Sequence, residues 1–279
     1  MGIKTILVNT AILMAIVSCG QTAEAKKAVL VCHYGSSNDD TRSRTIDLIT
    51  SDIAVAMDGY EVREAYISPV VRRSMAARNL HIDSPTDALL RLRADGYDTV
   101  YVQSTTLIDG AETAEVRLAC ERTGAFFSKI KCGEPLCYSP CDCEALVSIL
   151  AEEPCGKGEA VVYAGHGNML PSTATYCMLD YMLAAKGHDN YHVSTIEGYP
   201  SARCTVGELR RNKNVRRVKL VPLLLVCGNH TKGDIAVDFA GELSAEGYET
   251  ETVMRGLAEN AAVRALYVNK VRRLTGEHQ

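Results

Sequence analysis

The sequence predicts an α/β protein of two similar domains, each a parallel sheet flanked by helices, related by internal duplication. Short apolar runs, such as residues 28–33 and 160–164, have the character of buried strands, and segments with helical spacing follow them. The 279 residues suffice for two small domains. The order strand, helix, strand, helix, strand occurs twice. This repetition predicts two sheets that face each other across a cleft.

The first repeat starts with the strand at 28–33 and a polar turn. A helix at 39–57 follows, with apolar residues near helical spacing and Gly59 at its end. The later elements of this repeat are a strand at 61–67, helices at 70–78 and 84–95, a strand at 99–107 and a helix at 111–122. The cysteine-rich segment at about 124–158 is interpreted mostly as a link.

The second repeat has the same order of elements. They are a strand at 160–164, a helix at 173–186, a strand at 191–196, a helix at 205–211, a strand at 218–227, a further strand within 245–255 and a closing helix at 259–274. The predicted domains are therefore 28–145, with the linker to about 158, and 159–279.

The first 27 residues have the pattern of a signal peptide and a tether. A charged start precedes an apolar run at 6–17, which is too short for a good membrane span. Residues 16–19 resemble a bacterial lipobox, which implies cleavage before Cys19 and lipid on that cysteine. Cleavage after Ala23 or Ala25 is the alternative. We therefore expect an exported protein that is periplasmic or anchored to the membrane through this lipid.

The charge and the aromatic content of the chain give no reason to expect nucleic acid as a partner. The formal net charge is −4, Trp is absent and Phe occurs three times, so neither a basic surface nor a stacking platform for nucleic acid is expected. The chain has eleven cysteines, five of them between positions 132 and 155. In an oxidising compartment these cysteines would by default form disulfides. A homo-oligomer is left open.

Three side chains of the second repeat follow three successive strands. His166 lies between two glycines after the first strand, Glu197 follows the second and His230 follows the third. The carboxyl ends of parallel strands share one edge of a sheet, so these side chains are expected to converge. Two imidazoles and one carboxylate can bind divalent Zn, Fe, Co or Ni and leave positions open for substrate.

Several stretches of the sequence resemble a known family. They include AVLVCHYGSS, IDSPTDALLRLRADGYDTVYVQSTTLIDGAE, VVYAGHGN, YCMLDYML, STIEGYP, VKLVPLLLVCGNHTKGDIAVD and GLAENAAVRALYV. The chain resembles the anaerobic cobalt chelatases that insert Co²⁺ into sirohydrochlorin, within the class II chelatase superfamily that also holds ferrochelatase. The resemblance implies two α/β domains with a tetrapyrrole between them, a role in cobalamin biosynthesis, and metal binding by His166, Glu197 and His230. The usual members are cytoplasmic, unlike the exported protein expected here.

A mechanism follows from these residues. The three ligands would hold the divalent ion, Co²⁺ or alternatively Fe²⁺ or Ni²⁺, over the ring, and His166 or His230 would accept pyrrole protons as a general base. No organic cofactor is needed. Arg72, Arg73 and Arg78 are candidates for binding substrate carboxylates, with a solvated helix face as the alternative. His33 is either a further axial ligand or only a residue at a strand end.

Three other classes of protein remain open. The same ligands would serve an exported metal or haem carrier that binds without turnover. They would also serve a periplasmic enzyme that inserts iron into haem or removes it. A two-domain receptor for a small solute fits the fold but leaves the coincidence of His166, Glu197 and His230 unexplained.

Overall fold

The computed structural model describes residues 26–228 and 231–277, and within them lie two four-stranded parallel sheets. The strands are β1 (Lys27–His33), β2 (Glu61–Tyr66), β3 (Thr99–Ser104), β4 (Lys129–Cys132), β5 (Glu159–Gly167), β6 (Tyr191–Glu197), β7 (Arg217–Pro222) and β8 (Glu249–Thr252). The first sheet has the order β2-β1-β3-β4 and the second β6-β5-β7-β8. The same order in both sheets is what a duplicated unit produces, and it confirms the predicted fold class.

Helices cover both faces of these sheets. They are α1 (Asp39–Arg44), α2 (Ile46–Ala56), α3 (Pro69–Ala76), α4 (Pro85–Ala94), α5 (Ala111–Thr123), α6 (Pro140–Leu150), α7 (Ala174–Ala185), α8 (Ala202–Leu209), α9 (Ala240–Ala245) and α10 (Ala261–Thr275), with a π-helical segment at Thr231–Phe239 before α9. Three of the starts share one local cause. Ser68, Ser84 and Ser139 cap α3, α4 and α6 with their hydroxyls, and a proline follows each serine as the first helical residue.

The cysteine-rich segment is not mostly a link, which corrects the interpretation from sequence. It contains β4, the edge strand of the first sheet, and the eleven-residue helix α6. The strand has only four residues, alternately exposed and half-buried, so it lacks the long apolar run of β1 or β5. The ten cysteines among the described residues are free thiols rather than disulfides, and Cys19 lies outside that part of the chain.

Helices α6 and α10 are exchanged between the two halves. α6 follows the first sheet in sequence but packs against α7, and the Tyr163 hydroxyl of β5 donates a hydrogen bond to the Leu150 carbonyl at its end. α10 follows the second sheet but packs against α2 and β3, and its Tyr267 hydroxyl donates to the Thr105 carbonyl at 3.0 Å. The domain boundaries predicted at 145 and 159 stay a prediction, and the packing joins the halves through these two helices.

Two predicted elements are shorter than the sequence suggested. The helix predicted at 39–57 is divided into α1 and α2 at Thr45, whose backbone leaves the helical region (φ −129°, ψ −91°) while its hydroxyl bonds the Thr41 carbonyl. The strand predicted at 218–227 ends at Pro222, and residues 223–228 form a loop. This loop carries the chain beyond the edge of the second sheet, towards His230, which lies outside the described residues.

A shared apolar core fills the space between the halves. It includes Val31 of β1, Ile53 of α2, Leu146 of α6, Tyr163 of β5 and Tyr267 of α10, all at most 2% exposed. Burying such side chains contributes about 1.5–3 kcal/mol each, so the exchange of helices has a large apolar driving force. None of the helices in the described part of the chain has the length and apolar character needed to cross a membrane.

Candidate metal and substrate site

His166 and Glu197 lie at the ends of neighbouring strands. In the register of β5 and β6, Gly167 is opposite Glu197. His166 is the residue just before Gly167, so both side chains belong to the same edge of the second sheet. The backbones of the two residues are therefore adjacent, and the convergence of their side chains stays a prediction.

Two glycines hold the loops that carry these residues in close contact. Gly167 has φ +79°, and a Cβ atom there would lie 1.6 Å from the carbonyl oxygen of Glu197. Gly198 has φ +92°, and a Cβ atom there would lie 2.4 Å from the carbonyl oxygen of Asn168. Only glycine permits both the left-handed backbone and this approach. The turn after β5 and the turn after β6 thus fix each other.

Side chains of the following turn and helix support the same two loops. The Thr173 hydroxyl bonds the backbone of Tyr199, as donor to its carbonyl at 3.2 Å and acceptor from its N–H at 3.4 Å. The Tyr176 hydroxyl accepts from the Gly167 N–H at 3.4 Å. The Tyr176 ring also lies where a Cβ atom of Gly165 would be, at 2.4 Å. Each glycine of the Gly-His-Gly motif is therefore required by a specific neighbour.

The tautomer of His166 suits metal binding. Its ring is half-buried, and Nδ1 lies 3.2 Å from the carbonyl oxygen of Gly167. Because a carbonyl only accepts, Nδ1 carries the hydrogen in the neutral ring, and the lone pair is on Nε2. Glu197 is exposed at the end of its strand, so a metal ion in solution can reach its carboxylate. An imidazole nitrogen and a carboxylate oxygen are ligands for a divalent transition metal.

The third predicted ligand, His230, lies outside the described residues. The strand that leads towards it, β7, pairs with β5 on the side opposite β6, and Pro222 is the residue opposite Ala164. After that strand, the Leu223 N–H donates to the Ala164 carbonyl at 2.8 Å. Of the two carboxylates that follow it in sequence, Asp234 is half-buried and Asp238 is exposed.

Comparison with known proteins places this arrangement in a family. The cobalt chelatase (CbiK) family matches residues 27–275, which is nearly all of the described chain. The chain belongs to the cobalt chelatase family. A sirohydrochlorin cobaltochelatase of Salmonella typhimurium is 32% identical over 250 residues, covering 87% of this chain and 94% of that protein. The sirohydrochlorin cobaltochelatase CbiKC of Nitratidesulfovibrio vulgaris is 32% identical over 243 residues, covering 84% and 85%.

Solved structures show the same fold at low sequence identity. SirB from Bacillus subtilis, solved with Fe³⁺, has a TM-score of 0.62 at 15% identity, covering 89% of this chain and 95% of that one. A second structure, of the sirohydrochlorin chelatase SirB from Bacillus subtilis subspecies spizizenii in complex with cobalt, has a TM-score of 0.58 at 14% identity, with 90% and 96% covered. The two-sheet architecture of this chain is thus the fold of these SirB structures.

His33 is fully buried. Its Nδ1 lies 3.0 Å from the Thr105 hydroxyl and its Nε2 lies 2.9 Å from the Thr50 hydroxyl. Burial lowers the pKa of His33 to about 3, so the ring is neutral at physiological pH. With both nitrogens bonded inside the protein, this geometry favours the alternative of a strand-end residue over an axial ligand.

The three arginines predicted to bind substrate have different surroundings. Arg78 donates to the Ser37 carbonyl at 2.7 Å and pairs with Asp39, so its guanidinium is already bonded. Arg72 and Arg73 line a surface pocket on α3. The Nε atom of Arg72 is buried and has no hydrogen-bond partner among the described residues. An unpaired buried donor favours an anionic group that the protein itself does not supply.

Sequence reasoning missed a second group with metal-ligand chemistry. Among the described residues, Asp180, His192 and Glu208 place one ligand atom each within 4.8 Å of the others. His192 is near the amino end of β6, whereas Glu197 is its last residue, so the two groups lie at opposite ends of this strand. Asp180 accepts the Val193 N–H at 2.7 Å, and His192 pairs with Glu208 at 3.3 Å.

Proposed function

We propose that this protein is a metal chelatase that inserts Co²⁺ into sirohydrochlorin. The register that places Gly167 of the Gly-His-Gly turn opposite Glu197 carries the proposal, because it puts an imidazole and a carboxylate at one sheet edge. The family and the names of two relatives, each 32% identical over most of the chain, support the same metal and the same tetrapyrrole.

His166, Glu197 and His230 are proposed to hold the ion as it is transferred. The reaction replaces two pyrrole N–H protons by one divalent ion, so two protons must leave the ring for each ion that enters. A histidine that is not coordinating the ion, His166 or His230, accepts a proton as general base. Neutral imidazole is needed for both tasks, so the rate of insertion should fall as the solution is made acidic.

Arg72 and Arg73 are proposed to bind carboxylates of the tetrapyrrole. Val226, in the loop that leads towards His230, packs against an apolar cluster that contains Met75 of α3. The helix that carries the two arginines and the loop that follows β7 therefore pack against the same apolar cluster. A polycarboxylate held between these elements would give the buried Nε of Arg72 its missing acceptor.

Metal insertion is tested with purified protein, sirohydrochlorin and Co²⁺, followed by the absorbance change of the ring. His166→Ala and Glu197→Gln should each lower kcat about 100-fold or more, while His188→Ala, in a turn remote from the site, should leave it unchanged. Arg72→Gln should raise KM more than it lowers kcat. Binding of Co²⁺ without turnover would instead establish a carrier. The rates of insertion of Co²⁺, Fe²⁺ and Ni²⁺ should be compared in the same assay. Faster insertion of Fe²⁺ than of Co²⁺, together with haem binding, would favour the iron-handling alternative.

Export and lipidation are proposed from the sequence of the first 27 residues. The charged start, the short apolar run and the lipobox-like residues 16–19 support cleavage before Cys19 and attachment of lipid there. Labelling of cells with radioactive palmitate should mark the protein, and Cys19→Ser should abolish the label. A labelled Cys19→Ser protein, or an unlabelled parent of full precursor length, would refute lipidation.

A further inference from the structure

Asp180, His192 and Glu208 meet at the open edge of the second sheet. β6, which carries His192, is an edge strand and pairs with β5 alone. α7 and α8 carry the two carboxylates, and their apolar residues are buried in the clusters on opposite faces of this sheet. Helices from the two faces thus bring one carboxylate each to the imidazole of the edge strand, with one ligand atom of each residue within 4.8 Å of the others.

The edge strand fixes the position of Asp180. The Val193 N–H donates to Oδ1 of Asp180 at 2.7 Å, which satisfies a backbone donor of a strand that has no further neighbour. A carboxylate has a second oxygen, so Asp180 can accept this bond and still coordinate an ion. All three residues are half-buried. The side chain of His192 is 15% exposed and that of Glu208 40%, so an ion in solution can reach the group.

The distances and charges of the group suit a divalent ion. Nδ1 of His192 lies 3.3 Å from Oε2 of Glu208. Two ligand atoms of one tetrahedral zinc are about 3.4 Å apart, since each bond is about 2.0–2.2 Å long. Burial raises the pKa of the Asp180 carboxyl, and the charge of Glu208 acts in the same direction. A cation bound between the two carboxylates would remove this repulsion.

We propose that Asp180, His192 and Glu208 form a second binding site for a divalent transition ion of the Zn²⁺ class. One imidazole nitrogen and two carboxylate oxygens are ligands for such an ion, and water completes the coordination. The site does not depend on the proposed function. His192 and Glu197 are five residues apart along β6, about 16 Å, so one ion cannot bind at both ends of the strand.

An ion at this second site would join the two helices that follow the metal-site turns. α7 comes after the turn of His166, and α8 comes after the turn of Glu197. They lie on opposite faces of the sheet, and each has its own apolar anchor. Coordination would therefore add a direct link across the edge of the sheet, and we expect the bound ion to stabilise the folded protein.

Two thiols on the same helices are rival ligands. Cys177 lies three residues before Asp180 on α7, and Cys204 lies four residues before Glu208 on α8. Residues at these spacings share a helix face. Both thiols are partly exposed, and Zn²⁺ also binds thiolates. A test of the site must therefore separate the imidazole from the two cysteines.

Calorimetric titration with Zn²⁺ under reducing conditions makes this separation. The starting protein is the full-length chain with His166→Ala and Glu197→Gln, which removes two proposed ligands of the transfer site. Adding His192→Ala or Glu208→Gln should abolish one equivalent of bound Zn²⁺ or weaken its binding at least 10-fold. Adding His188→Ala, or Cys177→Ser together with Cys204→Ser, should preserve that equivalent. Unchanged binding in His192→Ala, or loss of the equivalent in the cysteine variant alone, would overturn the proposal.

Thermal unfolding supplies a second measurement that does not require the variants to be equally stable. Zn²⁺ at about 100 times its Kd should raise Tm by about 5–10 °C in the starting protein and in His188→Ala. The same Zn²⁺ should leave Tm unchanged in His192→Ala and Glu208→Gln, each compared with its own metal-free sample. An equal rise in His192→Ala would show that the stabilising ion binds elsewhere, and no rise in the starting protein would show that the group binds no ion.

Discussion

Replacing Gly167 by alanine should separate the two turns that carry His166 and Glu197. The added Cβ atom would lie 1.6 Å from the Glu197 carbonyl oxygen, and real contacts of this kind are essentially never shorter than 3.0 Å. The turns must therefore move apart by about 1.4 Å. A displacement of about 1 Å between catalytic groups can lower a rate about 100-fold, so Gly167→Ala should lose at least that factor in kcat.

Gly187→Ala is the matched control for this substitution. Gly187 has φ +84°, close to the +79° of Gly167, but a Cβ atom there would meet no heavy atom within 4 Å. Both variants incur the strain of a left-handed alanine, about 1–2 kcal/mol, which lowers Tm by roughly 2–8 °C. Only Gly167→Ala also incurs the collision with Glu197.

The assay combines thermal unfolding with the rate of Co²⁺ insertion for both variants. Gly187→Ala should keep the parent kcat despite its lower Tm. Gly167→Ala should lose activity at temperatures well below its own Tm, where the protein is folded. If the two variants had the same kcat and the same Tm, the close approach of the turns would not be what positions the site, and this reasoning would be refuted.

Two further predictions concern stability and pH. Burial raises the pKa of the Asp142 carboxyl, but hydrogen bonds from Lys270, Ser139 and Arg273 outweigh it and lower the pKa to about 2. Asp142→Asn should therefore lower the free energy of unfolding in urea by about 2 kcal/mol above pH 4, and this loss should shrink as the pH falls towards 2. Glu144→Gln, at an exposed position, should leave the free energy of unfolding unchanged. Equal losses for Asp142→Asn at every pH would contradict this reasoning. His33, with its pKa lowered to about 3 by burial, binds a proton only in the unfolded chain between pH 6.5 and 3, so stability should fall over this range by on the order of 4 kcal/mol. His33→Gln should flatten the profile between pH 6 and 4, and a slope as steep as that of the parent would show that His33 is not the group responsible.

The sequence predicted most of the fold because the central strand of each sheet, β1 or β5, is a continuous apolar run. Ala28 and Ala160 start these runs, and each run is buried in the centre of its sheet. β4 was not predicted from the sequence, because this short edge strand contains no apolar run. The exchange of α6 and α10 was not predicted either. An apolar helical face shows that a helix is buried but does not show which sheet it covers.

The site was predictable in part for a different reason. Strand order places His166 and Glu197 at one edge whatever their neighbours are, so parallel topology alone brings their turns together. The surroundings of single side chains were not predictable. The bonds of His33 to two threonines, and the unpaired Nε of Arg72, depend on residues distant in sequence. The Asp180, His192 and Glu208 group has the same origin, since two helices and a strand assemble it.

The register of the duplicated strands shows what stands in the first half at the positions of the ligands proposed in the second. Ala28 pairs with Val100 as Ala160 pairs with Val218, which makes His33 the equivalent of Gly165 and not of His166. The residue equivalent to His166 is Tyr34, and the equivalent of Gly167 is Gly35, which also has a positive φ and lies against a side chain of the next strand. Both halves thus have the same glycine turn, but the histidine of the first half stands one position earlier than the histidine of the second. In the first half the histidine therefore lies in the core, where its two nitrogens bond hydroxyls, and a phenol stands at the position of the proposed ligand His166.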